Sequence, residues 1–187
     1  MKKPLLNSDL KLRAAQWADL EPVAQLILDV CTSAGDSTIS VPPEELRVEW
    51  EMPGFTLETD AWVVTTSDGR VVGFEEFVNR YAHASLQGDG YVHPDFEGRG
   101  IGTALLEAVK EVAVTLECQR MWLITTNDNL PALRFYQKRG FTRVQVYPNA
   151  VERSRQLKPD IPLAGQHGIP IRDEIELELT FRIVQEL

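Results

Sequence analysis

The chain has 187 residues, of which 43% are hydrophobic and 25% charged, a balance that suits one soluble globular domain with a substantial core. Its formal net charge of −9 argues against nucleic-acid binding and against a polybasic membrane contact. No apolar run nears the length of a membrane span, no signal-peptide core is present, and Cys31 and Cys118 have neither metal nor redox spacing, so a cytoplasmic protein with reduced thiols is the expectation.

Taken in order, residues 11–16 read as a short first strand. Asp19 caps a helix in which Leu20, Val23, Ile27 and Val30 recur at helical spacing. Pro22 falls in its first turn, where a missing N–H costs little. A polar loop over 32–40 leads to Pro42-Pro43 and a second short helix ending near Trp50. Residues 61–66 and 70–80 form a hairpin about the turn Ser67-Asp68-Gly69. Residues 86–92 are a third strand, in which Gly88 and Gly90 predict a bulge.

The chain is organised around residues 91–106, YVHPDFEGRGIGTALL. An apolar strand end passes through a Pro-marked turn into Gly98, Gly100 and Gly102, then into helical apolar spacing. Glycines at such a junction let the backbone bend and let a ligand approach it closely. The helix beyond has free N–H groups and the positive end of its dipole, so the turn suits an anion, with phosphate the first candidate. A dinucleotide fingerprint would need glycine where Thr103 or Leu105 stands, and the Gly-Lys-Ser/Thr of a phosphate loop is absent.

The helix that follows carries Leu105, Val109, Val112 and Leu116 on one face, and residues 121–125 read as a buried parallel strand. Residues 127–141, NDNLPALRFYQKRGF, read as a capped helix. Asn129 is the N-cap, Pro131 lies in the first turn, Lys138 and Arg139 in the last, and Gly140 follows.

These two segments together resemble the GNAT superfamily of N-acetyltransferases. The family's pyrophosphate motif, Arg/Gln-x-x-Gly-x-Gly/Ala, falls on Glu97-Gly98-Arg99-Gly100-Ile101-Gly102. Its second motif, Asn-x-x-Ala-x-x-x-Tyr before a Gly-Phe pair, falls on Asn129, Ala132, Tyr136, Gly140 and Phe141. The resemblance implies an α/β (α+β) fold with a mixed, mostly antiparallel central sheet flanked by helices on both faces. It implies acetyl-CoA as acyl-donor co-substrate, met by Tyr91, Val92, Arg99, Gly100, Ile101, Gly102, Thr103, Asn129, Ala132 and Tyr136. One departure stands out. Glu97 replaces the motif's Arg or Gln, and because a carboxylate repels pyrophosphate, Glu97 is expected to face solvent and leave the anion to the backbone amides. Arg99, Arg134, Lys138 and Arg139 are candidate basic side chains near the phosphates.

The family's first helical region lines the acceptor pocket, so Trp50, Phe55 and Trp62 are either pocket walls or core. Residues 142–147 are a further strand. A loop at about 148–173, rich in Pro and Gly and without sustained periodicity, reads as a lid or a dimer contact. A final strand at about 174–184 alternates Ile175, Leu177, Leu179 and Phe181 with Glu174, Glu176, Glu178 and Thr180. The whole of 1–187 is expected to be a single acyltransferase-like domain.

Acyl transfer from a thioester to an amine requires a leaving thiolate and a neutral nitrogen. A phenol titrates near 10 and a thiol near 8.5, so Tyr136, in the family's general-acid position, can protonate the thiolate. The oxyanion donor implied by the family fold is a backbone N–H at Tyr91 or Val92. The proton acceptor is open among Glu75, Glu76, Asp89 and a water relay, and strand alternation forbids Glu75 and Glu76 from facing the same way. His93, before Pro94, reads as structural or solvent-facing. No metal is implied, since His83, His93 and His167 lack ligand spacing with acidic residues. The leading reading is acetyl transfer to a small amine or an exposed amino group of a protein, with a homodimer left open. The alternative is a coenzyme-A-binding sensor without efficient turnover.

Overall fold

The computed structural model describes residues 6–33, 41–78, 85–157, 159 and 161–181, apart from the side chains of 78, 85–89 and 166. His83, and the ends of the strands expected at 70–80 and 174–184, lie outside the described residues.

Among the described residues, seven strands form one sheet in the order β1-β2-β3-β4-β5-β7-β6. They are β1 (Leu10–Ala14), β2 (Ala61–Thr66), β3 (Val71–Val78), β4 (Ser85–Val92), β5 (Arg120–Thr126), β6 (Thr142–Tyr147) and β7 (Glu174–Thr180). All neighbours run antiparallel except β4 and β5. The hairpin closes as expected, with Gly69 at φ +91° where a side chain would be strained.

Helices cover both faces. On one, α1 (Leu20–Ser33), α2 (Pro43–Trp50) and α3 (Leu57–Asp60) bury Val23, Ile27, Leu46, Trp50 and Leu57 against Val63 and Phe74. On the other, α4 (Ile101–Thr115) sets Ile101 and Leu105 on Val64 and Val72. Farther along that face, α4 and α5 (Leu130–Gln137) join a cluster with Phe77, Met121, Phe141 and Leu177. Trp50 is 3% exposed, and Trp62 stacks on Phe77 with ring centroids 5.6 Å apart. Both pack in the core, as does the half-buried Phe55 against the cluster that contains Trp50. Asp19 is buried at the start of α1, where its carboxylate accepts from the Gln16 N–H and from the Arg13 guanidinium.

Three expectations change. The β3–β4 ladder runs without a register shift from Gly73↔Val92 to Val78↔Gln87, so Gly88 and Gly90 make no bulge there. Gly90 has a different cause, because a Cβ on it would overlap the Glu75 carboxylate that lies across it. Strand β5 is only partly covered, with Met121 buried and Ile124 exposed. The region expected to be loop contains α6 (Ala150–Leu157). That helix is anchored by one apolar side chain, Val151, and a single anchor leaves no periodicity to read.

Residues 161–172 are tied down by polar contacts rather than packing. Arg155 donates to the carbonyls of Ile161, Pro162 and Ile171. Asn127 donates to Pro170 O and accepts from the N–H groups of Arg172 and Asp173. β7 enters between β5 and β6 with Leu177 fully buried, while Glu176 and Glu178 pair with Arg120. Among the described residues, no helix is long and apolar enough to cross a membrane.

Candidate active site

Among the described residues, the one parallel pair of neighbours is also the least paired. β4 and β5 match at Ser85↔Arg120 and Leu86↔Met121, and the two strands then separate. Beyond that fork β4 keeps its bonds to β3 on one side and turns a strand edge toward the opening on the other. A strand edge of this kind can pair with the amides of an extended ligand.

The glycine turn stands at the far end of β4. Pro94–Phe96 makes a 3-10 turn that His93 caps by accepting from the Asp95 N–H. His93 is buried and also bonds Arg70, so of the two roles expected for it the structural one holds. Gly98 and Gly100 follow at φ +73° and +88°, a region that glycine enters without Cβ strain. Gly100 is the N-cap of α4 and has no side chain to bond the first turn, which leaves those N–H groups available to an anion.

Fork and turn open into one cavity of about 500 Å³. Its walls come from β3 (Glu75), β4 (Gly90, Tyr91, Val92), the turn and first turns of α4 (Phe96 to Thr103, Arg99 excepted) and α5 (Pro131, Ala132, Phe135, Tyr136), with Arg139 just beyond. The helices approach closely there, since a Cβ on Gly102 would stand 3.2 Å from the Phe135 ring.

Most of the expected residues therefore meet. Tyr91, Val92, Gly100, Ile101, Gly102, Thr103, Ala132 and Tyr136 all line the cavity. Two others do not. Asn129 accepts from the Ala132 N–H at 3.2 Å, fixing the start of α5. Arg99 reaches across the Phe96 ring to Asp9, at 3.3 Å. Glu97 is exposed, as its charge required, although it stands at the cavity rim.

The structure separates the adjacent carboxylates. Glu75 lines the cavity, and also a small space behind it shared with Trp122, Leu123 and Tyr136. Glu76 points to the opposite face of the sheet and accepts from Trp50 Nε1 at 3.0 Å. Asp89 pairs with Glu76 in the ladder, but its side chain lies outside the described residues. Tyr136 is held by edge-on contacts to Phe135 and Phe141, with centroids 5.0 and 5.2 Å away. Phe96 and Val30 also reach the cavity, though the sequence marks neither for it, since Val30 reads as part of the apolar face of α1 and a lone apolar side chain such as Phe96 reads as core.

A family model described as the GNAT family of acetyltransferases matches residues 27–141. The Bacillus subtilis protein YdhI is 60% identical over 79 residues, which are 42% of this chain and 49% of that protein, so the match spans about half of its length. YxbD of the same organism is 40% identical over 121 residues, covering 64% of this chain and 74% of its own. Among solved structures, yncA of Salmonella typhimurium, determined with its cofactor acetyl-CoA, matches with a TM-score of 0.70. That likeness, at 19% identity over 94% of this chain and 95% of the other, is one of fold. The glycine turn, the forked strands and the helix bearing Tyr136 thus belong to a chain that is a member of the GNAT family of acetyltransferases.

Proposed function

We propose that the forked cleft binds acetyl-CoA, and that the acetyl group passes directly to an amine of a small molecule or protein, with Tyr136 as general acid and Glu75 as the proton acceptor. The observation that carries this reading is convergence. One cavity runs from the glycine turn, along the edge of β4, to a phenol and a carboxylate at the fork. The residues fit the ligand, with free helix N–H groups for a diphosphate, a strand edge for the amide-bearing arm and proton-transfer groups at the end.

When bound, acetyl-CoA supplies the activated acyl carbon. The backbone N–H of Val92, which alternation along β4 turns away from β3, stabilises the carbonyl oxygen as it gains charge. Glu75 takes the proton of the incoming ammonium, directly or through one water, and Tyr136 Oη gives its proton to the departing sulfur. Glu76 is assigned no proton transfer, because it is bonded to Trp50 on the other face of the sheet.

Thiol release from acetyl-CoA, followed across a panel of amines, tests the reading. Tyr136→Phe should lower kcat by about 10²- to 10⁴-fold and leave coenzyme A affinity unchanged within about twofold. Glu75→Gln should remove the acidic limb of the kcat/KM profile. Saturable binding without thiol release for any amine would instead identify a coenzyme A sensor, and equal loss of turnover and affinity in Tyr136→Phe would assign that ring to packing.

A further inference from the structure

We propose that Arg139 supplies the positive charge of the anion-binding end of the cleft, as a positioning residue that readies the Thr103 hydroxyl and the first turn of α4 for the diphosphate of the acyl-coenzyme. This rests on the reading of the cleft as an acyl-coenzyme site.

The charges lining the cavity pose the problem. They are Glu75, Glu97 and Arg139, two carboxylates and one cation around a space meant for a polyanion. The pyrophosphate motif has no help to give, since its first position is Glu97 and its Arg99 is engaged by Asp9. Arg139, at the end of α5, reaches the same turn from the other side. It donates through Nη1 to Phe135 O at 2.9 Å and through Nη2 to Thr103 Oγ1. Its guanidinium carbon stands over the Phe135 ring, 3.6 Å from the centroid.

Two features indicate that this cation is held for a ligand. First, no carboxylate stands within 4.0 Å of it among the described residues, and its Nε is buried without a partner. Nearby Glu107 is already paired with Lys110 at 2.9 Å. Burial pulls the guanidinium below its ordinary pKa by more than the nearby Glu107 charge raises it. A half-buried cation so placed gains from an anion brought beside it. Second, Thr103 Oγ1 uses a lone pair to accept from Arg139, and no described group takes its hydroxyl proton. That proton is therefore available as a donor in the cavity that Thr103 lines, beside the free N–H groups of α4.

Calorimetry with coenzyme A and with dephospho-coenzyme A, which lacks the 3′-phosphate, tests the proposal. Arg139→Leu should weaken both ligands by the same factor, about tenfold to a hundredfold, and flatten the dependence of affinity on salt. KM for acetyl-CoA should rise in step while kcat at saturation stays within about twofold. Arg139→Lys should recover part of the loss, and Thr103→Val should reproduce part of it, so these milder variants carry the test if Arg139→Leu does not fold. Unchanged affinity in the folded variants would overturn the proposal, as would a loss confined to coenzyme A, which would move the contact to the 3′-phosphate. If the unaltered chain itself gives no heat with either ligand, the acyl-coenzyme reading fails and the proposal fails with it; if it binds and the variants match it, the proposal alone fails.

Discussion

Gly73 sits in β3 where α4 crosses the sheet, and Gly73→Ala measures how tightly the two are joined. A Cβ there would overlap Ile101 Cγ2 and press on Leu105 Cδ1 and Val64 Cβ, each 3.3 Å away. Ile101, Leu105 and Val64 are each no more than 1% exposed, so none has open space to move into. Such overpacking costs about 1–3 kcal/mol, while the stiffer unfolded chain returns about 0.4–1 kcal/mol. The net loss should be about 1–2 kcal/mol, a fall in Tm of roughly 2–8 °C for a chain of this size. Urea unfolding followed by tryptophan fluorescence reads it as a lower midpoint at constant slope. Because the clash is with the γ-methyl on the branched carbon, Ile101→Leu, which lacks that branch, should make Gly73→Ala less damaging. Ile101→Val keeps the branch and should not. Ile101 opens α4, so the strain should also weaken coenzyme A binding. An unchanged midpoint in Gly73→Ala, or equal relief from the two Ile101 variants, would refute the reasoning.

Asp173 accepts from the Arg172 guanidinium and from the Asn149 N–H, and these bonds hold its carboxyl at about 2, below its ordinary 3.8. A carboxyl depressed in the folded state stabilises the fold above its unfolded pKa and loses that contribution as pH falls through the folded one. Asp173→Asn should therefore lower the urea midpoint at neutral pH, with the difference closing as pH falls from about 4 to about 2; a gap constant with pH would count against it. Arg155→Ala strips a charged donor from three loop carbonyls. It should make local opening of 161–172 about tenfold more frequent, seen as faster limited proteolysis there with the global unfolding midpoint little changed.

The parts of this protein legible in its sequence were those that neighbours along the chain decide. Positive-φ glycines make the turn at Gly98 and Gly100, Asn129 caps the helix three residues on, and alternation puts Ile175 and Leu177 inward, all within a few residues. The same logic required Glu75 and Glu76 to face apart, since side chains on a strand alternate. Which of them enters the cleft was settled by the packing of α4 on one face and of Trp50 on the other. The fork between β4 and β5 was likewise decided across the sheet, where β7 pairs with β5 from Arg120 to Thr126 while β4 pairs with it at two positions, Ser85 and Leu86. Arg139 meets Thr103 across 36 residues, and neither carries a local mark of the other. Backbone conformation is set by steric and hydrogen-bonding preferences that act within a turn or two, but a site of facing side chains exists only once the layers have closed around a common core.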